Sequence, residues 1–182
     1  EVIYDPRNRH SSRFWDVLSD PGASLAGFSL MGSPRLLSIL TEISGSQPHE
    51  LFPTTVGVFY NERSVERLQY DWHQEYAYYP NHKSHWHAWF PIFRDILEED
   101  GPMVVCKGSH KAVSEFVPER VKDGLLQLMI SDEVASKYEW FKCAIGRGDL
   151  ILFHSHLIHS TSENRTDLPR MSGIVRYFSL LA

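Results

Sequence analysis

Apolar positions follow two different periodicities along the chain, and the change between them falls near residue 50. In SPRLLSILTEISG (33–45) the apolar residues repeat at helical spacing, with Ser-Pro at the start of the pattern and glycine at its end. The pattern of 11–22 predicts a shorter helix that ends at a Pro-Gly pair. We therefore expect helical support over residues 1–50.

From residue 54 onward the chain becomes a series of short β-branched and aromatic runs separated by turn residues, which favours strands. The predicted strands lie at 54–60, 68–76, 86–93, 103–108, 140–145, 149–155 and 172–180. A helical insertion is predicted at about 117–138. Many short strands without strand-helix alternation are typical of a jelly-roll barrel or sandwich. We expect one mainly β domain over 1–182, with its β core at about 54–182.

Composition narrows the functional classes. The 182 residues are 42% hydrophobic and 23% charged, with a net charge of -5 and scattered Lys and Arg. No apolar run approaches the roughly 20 residues of a membrane span, and no basic stretch suits a phosphate backbone. We expect a small-molecule partner, without nucleic acid or membrane. The two cysteines lack CxxC spacing, and no leader pattern is seen, so we expect a cytoplasmic protein without a signal peptide.

The stretch WHQEYAYYP (72–80) contains a histidine and a glutamate one residue apart, His73 and Glu75. On an extended strand two such side chains point to the same face, about 7 Å apart at their backbones. They can then converge on one metal ion. A facial triad of two histidines and one carboxylate needs a second histidine and leaves three coordination positions open. An exposed polar pair is the alternative for these two residues taken alone.

The segment 146–178 offers three histidines for that position, His154, His156 and His159, together with Arg170. If the polar stretch before Arg170 turns the chain back as an antiparallel hairpin, Arg170 lies opposite His159. A guanidinium beside a metal site suits a carboxylate, which its planar fork grips with two parallel hydrogen bonds. The residues alone leave open which histidine is the ligand.

Three stretches resemble the phytanoyl-CoA dioxygenase family of iron(II)- and 2-oxoglutarate-dependent oxygenases. WHQEYAYYP is similar to the family's W-H-Q-D strand, and EEDGPMVVCKGSHK (98–111) is similar to its N-G-x-L-x-x-x-P-G-S-H-K stretch. GDLILFHSHLIHSTSENRTDLPR (148–170) is similar to its long pattern of Gly-Asp, Phe, His, Ser, Asn and Arg. The resemblance that these stretches carry covers roughly residues 54–178. The resemblance implies a double-stranded β-helix.

The resemblance also implies a ligand set and a reaction. It makes His73, Glu75 and His159 the iron ligands, and Arg170 the partner of the far carboxylate of 2-oxoglutarate. The cofactors implied are Fe(II), 2-oxoglutarate as cosubstrate and O2. The implied activity is that of a dioxygenase that hydroxylates an unactivated C–H bond of a small-molecule metabolite and releases succinate and CO2.

Two further positions match the family and two depart from it. Thr161 stands where the family usually has a serine that assists the arginine, and Trp89 matches a tryptophan that often lines the cosubstrate pocket. Glu75 replaces the usual aspartate, so its carboxylate lies farther from the backbone by one methylene. Glutamate offers the same oxygen donor, and a retained carboxylate favours hydroxylation over halogenation. Cys106-Lys107 stands where proline is usual, which we interpret as structural.

A second metal pattern competes with the first. His85 and His87 resemble the His-x-His of cupins, which share the barrel and bind metal through histidines and a glutamate. The next acid along the chain is Asp95, so the spacing is poor. The alternatives to the oxygenase are thus a cupin-like metalloenzyme that uses this pair without 2-oxoglutarate, and a non-catalytic barrel that binds a small ligand.

The remaining polar positions have structural interpretations. We interpret His154 and His156 as wall residues or hydrogen-bonded surface histidines, and GSHK (108–111) as a structural turn. Arg176 alternates in phase with Arg170 and so could reach the same cavity. A surface salt bridge is the fate we predict for it.

Overall fold

A computed structural model describes residues 24–63, 69–81, 85–120 and 126–179. The helix predicted at 11–22 lies outside these ranges. The α-helices are α1 (Leu25–Met31), α2 (Pro34–Ser44) and α3 (Asp132–Ala135). The strands are β1 (Leu51–Asn61), β2 (His85–Pro91), β3 (Met103–Cys106), β4 (Val117–Arg120), β5 (Leu126–Met129), β6 (Trp140–Lys142), β7 (Ile151–His154), β8 (His159–Thr161) and β9 (Arg170–Ser179). Short 3-10 helices lie at Pro48–Glu50, Glu75–Tyr78 and Ser109–Lys111.

The strands form two main sheets. The first has four strands in the order β1-β9-β2-β7, and the second has three in the order β6-β3-β8, with every pairing antiparallel. Trp89, Phe153 and Ile174 of the first sheet pack against Met103 and Val105 of the second. The sheets therefore stack face to face, which is the double-stranded β-helix that the sequence predicted. The single domain over 1–182 stays a prediction.

The helices cover the outer face of the four-stranded sheet. Leu36 and Leu40 of α2 are buried against Ala88 of β2 and Val175 of β9. Because side chains alternate along a strand, the neighbours of these two strand residues point into the barrel. α2 ends at Gly45, whose φ of 72° supplies the left-handed cap that closes many helices. Within the described residues, no helix is long and apolar enough to cross a membrane.

The strand predicted at 68–76 is wrong over its described part. The only ladder contact there is an isolated bridge between His73 and His159, and the chain then enters the 3-10 helix Glu75–Tyr78. The alternation of polar and apolar side chains suggested a strand, but the tight turn interrupts it after one bridge. Residues 64–68 lie outside the described ranges.

Most of the helical insertion predicted at about 117–138 is also wrong. β4 and β5 form an antiparallel ladder in which Val117 lies opposite Met129, and α3 is the only helix among the described residues of this segment. Ser131 caps α3 by accepting a hydrogen bond from the backbone of Val134. An apolar run such as LLQLMI fits a strand as well as a helix, and pairing with β4 decides between them.

The hairpin register predicted for Arg170 is wrong as well. β8 pairs with β3 in the second sheet, whereas β9 pairs with β1 and β2 in the first. The partner of Arg170 in the ladder is Asn61 and not His159. The polar stretch between β8 and β9 carries the chain from one sheet to the other, so the two strands face each other across the barrel.

Candidate metal centre

His73 and His159 lie side by side because their backbones pair directly. The His73 N–H donates to the His159 carbonyl over 2.9 Å, and the His159 N–H donates to the His73 carbonyl over 3.1 Å. β8 is in turn paired with β3, where Val105 lies opposite His159. The two imidazole centroids are consequently 4.1 Å apart, although 86 positions separate the residues in the sequence.

Both imidazoles present Nε2 to a common point. Nδ1 of His73 lies 2.7 Å from the carbonyl oxygen of Asp71, and Nδ1 of His159 lies 2.9 Å from that of Leu157. A carbonyl only accepts hydrogen bonds, so each Nδ1 carries the proton and each Nε2 keeps its lone pair. Burial and the adjacent His73 lower the pKa of His159 to about 3, so His159 is neutral near pH 7.

Glu75 completes the group by a different route from the one predicted. The shared strand face predicted for His73 and Glu75 does not form, because Glu75 opens the 3-10 helix. That turn brings Oε1 of Glu75 to 3.8 Å from Nε2 of His73 and to 3.8 Å from Nε2 of His159. All three residues are buried, and their ligand atoms lie within 4.8 Å of one another.

This donor set suits a divalent metal ion such as iron(II). Metal–ligand bonds of about 2.1 Å place neighbouring donors of an octahedron about 3 Å apart, so closing the 3.8 Å separations from Glu75 Oε1 needs less than 1 Å of movement. Two imidazoles and one carboxylate are also the donors of the facial iron site, which leaves further positions open.

A buried cation stands behind the carboxylate. Nε of Arg176 donates to Oε2 of Glu75 over 3.3 Å, and the two side chains are 11% and 8% exposed. Burial raises the pKa of the Glu75 carboxyl, but the charge of Arg176 and the nearby His73 outweigh burial and hold that pKa well below its usual range. The surface salt bridge predicted for Arg176 is therefore wrong, because β9 turns this side chain into the barrel.

The candidate metal ligands open onto a cavity of about 170 Å³. Its walls are mainly aromatic, with two guanidinium groups among them. The lining residues are Phe59, Tyr70, His73, Glu75, Tyr78, Tyr79, Trp89, Met103, Phe153, His159, Thr161, Arg170, Ile174 and Arg176. Every site residue that the sequence predicted thus lies on one cavity.

Arg170 enters this cavity from the first position of β9. It is 3% exposed, its Nε has no hydrogen-bond partner, and its guanidinium carbon lies 5.7 Å from the centre of the Trp89 ring. Burial lowers the pKa of Arg170 to about 10 against the opposing influence of Asp100, so Arg170 stays charged near pH 7. A buried guanidinium with an unused donor is suited to an incoming carboxylate.

The profile of the phytanoyl-CoA dioxygenase (PhyH) family matches residues 2–172. The chain belongs to the phytanoyl-CoA dioxygenase family. That match covers nearly the whole sequence and includes both candidate histidines, the carboxylate and Arg170. No curated protein matches the chain.

Solved structures share the fold of this family member. EvdO2 from Micromonospora carbonacea var. aurantiaca, crystallised with 2-oxoglutarate, aligns at 21% identity and a TM-score of 0.69 over 83% of this chain and 62% of its own. The epimerase SnoN, in complex with Fe3+, alpha ketoglutarate and nogalamycin RO, aligns at 20% and 0.66 over 86% and 59%. The carbocyclase SnoK aligns at 21% and 0.65 over 84% and 58%. This chain thus spans about six-tenths of each neighbour, and the likeness establishes the fold.

Gln74 is a buried residue to which the sequence assigned no role. It is 2% exposed, and its amide nitrogen donates to the carbonyl oxygens of Ala112 and His156, while its Oε1 accepts from the Ser114 backbone over 2.9 Å. These bonds fix the backbone between the two metal-ligand candidates of this family stretch. The position of Gln74 between His73 and Glu75 in the WHQE sequence is the signal that indicates this supporting role.

A polar network anchors the chain just before Arg170. Arg94 donates two hydrogen bonds to Asp100, at 2.7 and 2.8 Å, and Thr166 donates a third at 3.1 Å. The Asn164 amide donates to the carbonyl oxygens of Asn61 and Leu168 at 3.1 and 2.8 Å. This network ties the segment that precedes β9 to the end of β1. The sequence indicated only the asparagine, as part of the family pattern.

The other histidines that the structure describes lie outside the candidate centre. Among the described residues, the only three potential ligands within reach of one another are those already named, so the cupin-like pair His85 and His87 is not part of a metal-binding group. Both are fully buried, and His87 stacks on Phe153 at 5.0 Å. His154 and His156 contact each other edge to face at 4.6 Å and are half-buried, away from the cavity lining.

The GSHK stretch has the structural role predicted for it. The Ser109 hydroxyl donates to the Cys106 carbonyl and accepts from the Ile158 backbone, both over 2.8 Å. It therefore ties the end of β3 to the residue that precedes His159. Ser109 is fully buried, so the contact is shielded from water and helps to keep that histidine in register.

Proposed function

We propose that this protein is a non-haem iron(II)- and 2-oxoglutarate-dependent dioxygenase. The single observation that carries the proposal is one cavity in which Oε1 of Glu75 lies 3.8 Å from two imidazole nitrogens and a buried guanidinium, Arg170, has an unused donor. Membership of the phytanoyl-CoA dioxygenase family supports it. So do the ligands of the fold neighbours, since EvdO2 was crystallised with 2-oxoglutarate and SnoN with Fe3+ and alpha ketoglutarate.

His73, Glu75 and His159 would hold the iron. With its cosubstrate and O2, the bound iron supplies the oxidising chemistry that converts 2-oxoglutarate into succinate and CO2 and oxidises the substrate. The protein would contribute two imidazoles whose Nδ1 hydrogen bonds turn Nε2 toward the centre, and a carboxylate that Arg176 keeps ionised. Both conditions leave lone pairs available at the centre.

Arg170 would bind the far carboxylate of 2-oxoglutarate. Its guanidinium is buried and charged, so a carboxylate that enters the cavity would gain a charge-assisted hydrogen bond there. Thr161 lines the same cavity and would add a hydroxyl donor, and Trp89 would form a flat wall beneath the guanidinium. These three residues would orient the cosubstrate relative to the iron ligands.

The outcome we propose is hydroxylation of an unactivated C–H bond in a small-molecule metabolite. The retained carboxylate at position 75 fills the place that a halide takes in a halogenating enzyme, so it favours oxygen transfer. The aromatic walls contributed by Phe59, Tyr70, Tyr78 and Tyr79 would hold the substrate and exclude water. The fold neighbours SnoN and SnoK, an epimerase and a carbocyclase, mark epimerisation and carbocyclisation as other outcomes to test.

The test is turnover of 2-oxoglutarate by the purified protein. With iron(II), ascorbate and O2, we expect succinate to form slowly alone and faster when a panel of metabolites includes the substrate, with one oxygen atom added to the product. Glu75→Ala should form none. Arg165→Met, which removes an exposed arginine, should behave like the wild type.

Three results would contradict the proposal. If iron-loaded protein binds 2-oxoglutarate but releases no succinate with any candidate, the protein is a non-catalytic binder. If metal binds and 2-oxoglutarate has no effect, the protein is a metalloprotein that does not use this cosubstrate. If a substrate accelerates succinate release but gains no oxygen, the cofactors of the proposal stand and hydroxylation is replaced by another reaction of the substrate.

A further inference from the structure

The two oxygens of the Glu75 carboxylate face different partners. Oε1 points to the two histidine nitrogens at 3.8 Å each, and Oε2 points to Nε of Arg176 at 3.3 Å. The Glu75 side chain is only 8% exposed, so water does not compete freely for either oxygen. One oxygen is thus aimed at the metal position and the other is held away from it.

Arg176 is held in place from several sides. It lies in β9 between β1 and β2, with His87 opposite it on β2. Its guanidinium carbon is 5.9 Å from the centre of the Tyr79 ring. On the β1 side, Gly57 borders the guanidinium, since a Cβ there would lie in ordinary contact with Nη1 of Arg176 at 3.7 Å and in tight contact with Ile174 at 3.2 Å.

We propose that Arg176 is a positioning residue that makes Glu75 a one-oxygen ligand by withholding Oε2 from the metal. The inference rests on the proposed function, because it assumes a metal ion at the histidine pair. Carboxylates bind metals through one oxygen or both. A two-oxygen mode would occupy one of the positions that the cosubstrate and oxygen need.

The length of the glutamate explains why such a partner is needed here. Glu75 has one more rotatable bond than the aspartate usual in the family, so its carboxylate has more orientations to choose among. A charge-assisted hydrogen bond from a fixed guanidinium selects one of them.

The experiment compares cobalt(II) binding by the wild type, Arg176→Met and Arg176→Lys, using titration calorimetry and the visible spectrum of bound cobalt. Methionine keeps much of the side-chain length without the charge, and lysine keeps a charge without the fork. We expect Arg176→Met to bind cobalt about 10- to 100-fold more weakly, as for other residues that orient a metal ligand. Its cobalt spectrum should change as a second carboxylate oxygen enters the coordination sphere, and Arg176→Lys should recover part of both properties.

The matched control is Arg170→Met, the same substitution on the same face of β9. It should leave cobalt affinity and the cobalt spectrum as in the wild type. If Arg176→Met also leaves both unchanged while the wild type binds cobalt, the inference is overturned and the proposed function stands. If the wild type binds neither cobalt nor iron, the proposed function itself fails.

A double-mutant cycle with Glu75→Asp separates positioning from a general effect on the fold. The shorter carboxylate ends about 1.5 Å farther from the guanidinium, so Arg176→Met should cost less than about threefold in cobalt affinity in that background. An equal cost in both backgrounds would mean that Arg176 does not act through Glu75. If Arg176→Met does not fold, Arg176→Lys provides the test. The inference is overturned if Arg176→Lys binds cobalt with wild-type affinity, gives the wild-type cobalt spectrum and shows no coupling to Glu75→Asp.

Discussion

β9 carries two arginines on the same face, and their surroundings differ. Arg170 opens the strand with an unpartnered Nε above the Trp89 ring, whereas Arg176, six positions on, is paired with Glu75. Both are nearly buried. The residue type and the strand face of an arginine do not by themselves indicate its role. What decides is whether the fold has already placed an anion in front of it.

The acids near the two arginines explain the difference. At the Arg176 end, the carboxylate of Glu75 is shared between the guanidinium and the candidate metal position. At the Arg170 end, Asp100 acts on the arginine by its charge but is held by two hydrogen bonds from Arg94. Positive charge is therefore in excess at one end of the cavity and balanced at the other, which suits an anionic cosubstrate that reaches from the metal toward Arg170.

Removal of the balancing anion should have the largest effect. Glu75→Ala takes away the only carboxylate of the candidate centre and leaves Arg176 buried without it. We expect loss of more than about 100-fold in cobalt or iron(II) affinity, beyond what residues behind a ligand contribute, and lower stability from the stranded charge. Titration calorimetry and thermal unfolding of the metal-free protein measure the two effects. Retention of wild-type metal affinity would exclude Glu75 as a ligand.

The free arginine is tested next. Arg170→Met should weaken 2-oxoglutarate binding by about 100-fold, near 3 kcal/mol, because a bidentate charge-assisted pair is lost. Metal affinity should not change, in contrast to Arg176→Met. Calorimetry of 2-oxoglutarate added to the cobalt-loaded protein gives the comparison. Equal effects of both substitutions on both ligands would remove the distinction between the two ends of β9.

Acid should weaken the network that supports the Arg170 end. Burial raises the pKa of Asp100, but hydrogen bonds from Arg94, Leu97 and Thr166 outweigh it and hold the pKa below its usual value. The ionised carboxylate therefore stabilises the fold above about pH 4, and this contribution is lost as the pH falls through the lower folded-state pKa. Asp100→Asn should cost about 2 kcal/mol at pH 7 and progressively less below pH 4.

Urea unfolding of the metal-free protein at several pH values gives this difference. The exposed pair of Arg63 and Asp167 provides the matched control, since Asp167 is 91% exposed and Asp167→Asn should have no measurable effect. A cost for Asp100→Asn that stays constant from pH 7 into acid would contradict an origin in the charge of Asp100.

The smallest effect is expected for the hydroxyl beside the free arginine. Thr161→Val keeps the shape of the side chain and removes one donor from the cavity. If this donor binds the cosubstrate, its affinity should fall about fivefold, near 1 kcal/mol. Cobalt affinity should be unchanged. An unchanged 2-oxoglutarate affinity would assign Thr161 to the wall of the cavity alone.

The sequence predicted well those strands whose own residues carry a long alternating pattern, so that the pattern identifies the strand without its partners. The runs at 54–60, 86–93 and 172–180 became β1, β2 and β9, because alternation and β-branched residues persist over most of each run. β8 has only three residues, and pairing with β3 rather than its own pattern makes it a strand. The segment 117–138 shows the same limit, since its apolar run became a strand through pairing.

The residues of the candidate site also differ in how far the sequence could predict them. His73 and Glu75 lie close in sequence, so their spacing was informative even though the predicted strand was wrong. His159 and Arg170 came from the family pattern. The pairing of Arg176 with Glu75 joins positions 101 apart, and the alternation along β9 indicated only that this side chain could reach the same cavity as Arg170. Charged residues are exposed more often than buried, which is why the sequence predicted a surface salt bridge for Arg176. The carboxylate of Glu75, which lies opposite Arg176 in the fold, is what makes its burial possible.

Absorbance in an anaerobic titration tests the central claim most directly. Iron(II) and 2-oxoglutarate added together to the protein should give a weak visible charge-transfer band that saturates at one equivalent of each. The band should vanish in Glu75→Ala and require far more 2-oxoglutarate in Arg170→Met. Absence of any band in wild-type protein that binds iron(II), or an equal band in Glu75→Ala, would contradict a shared centre formed by Glu75, His73 and His159.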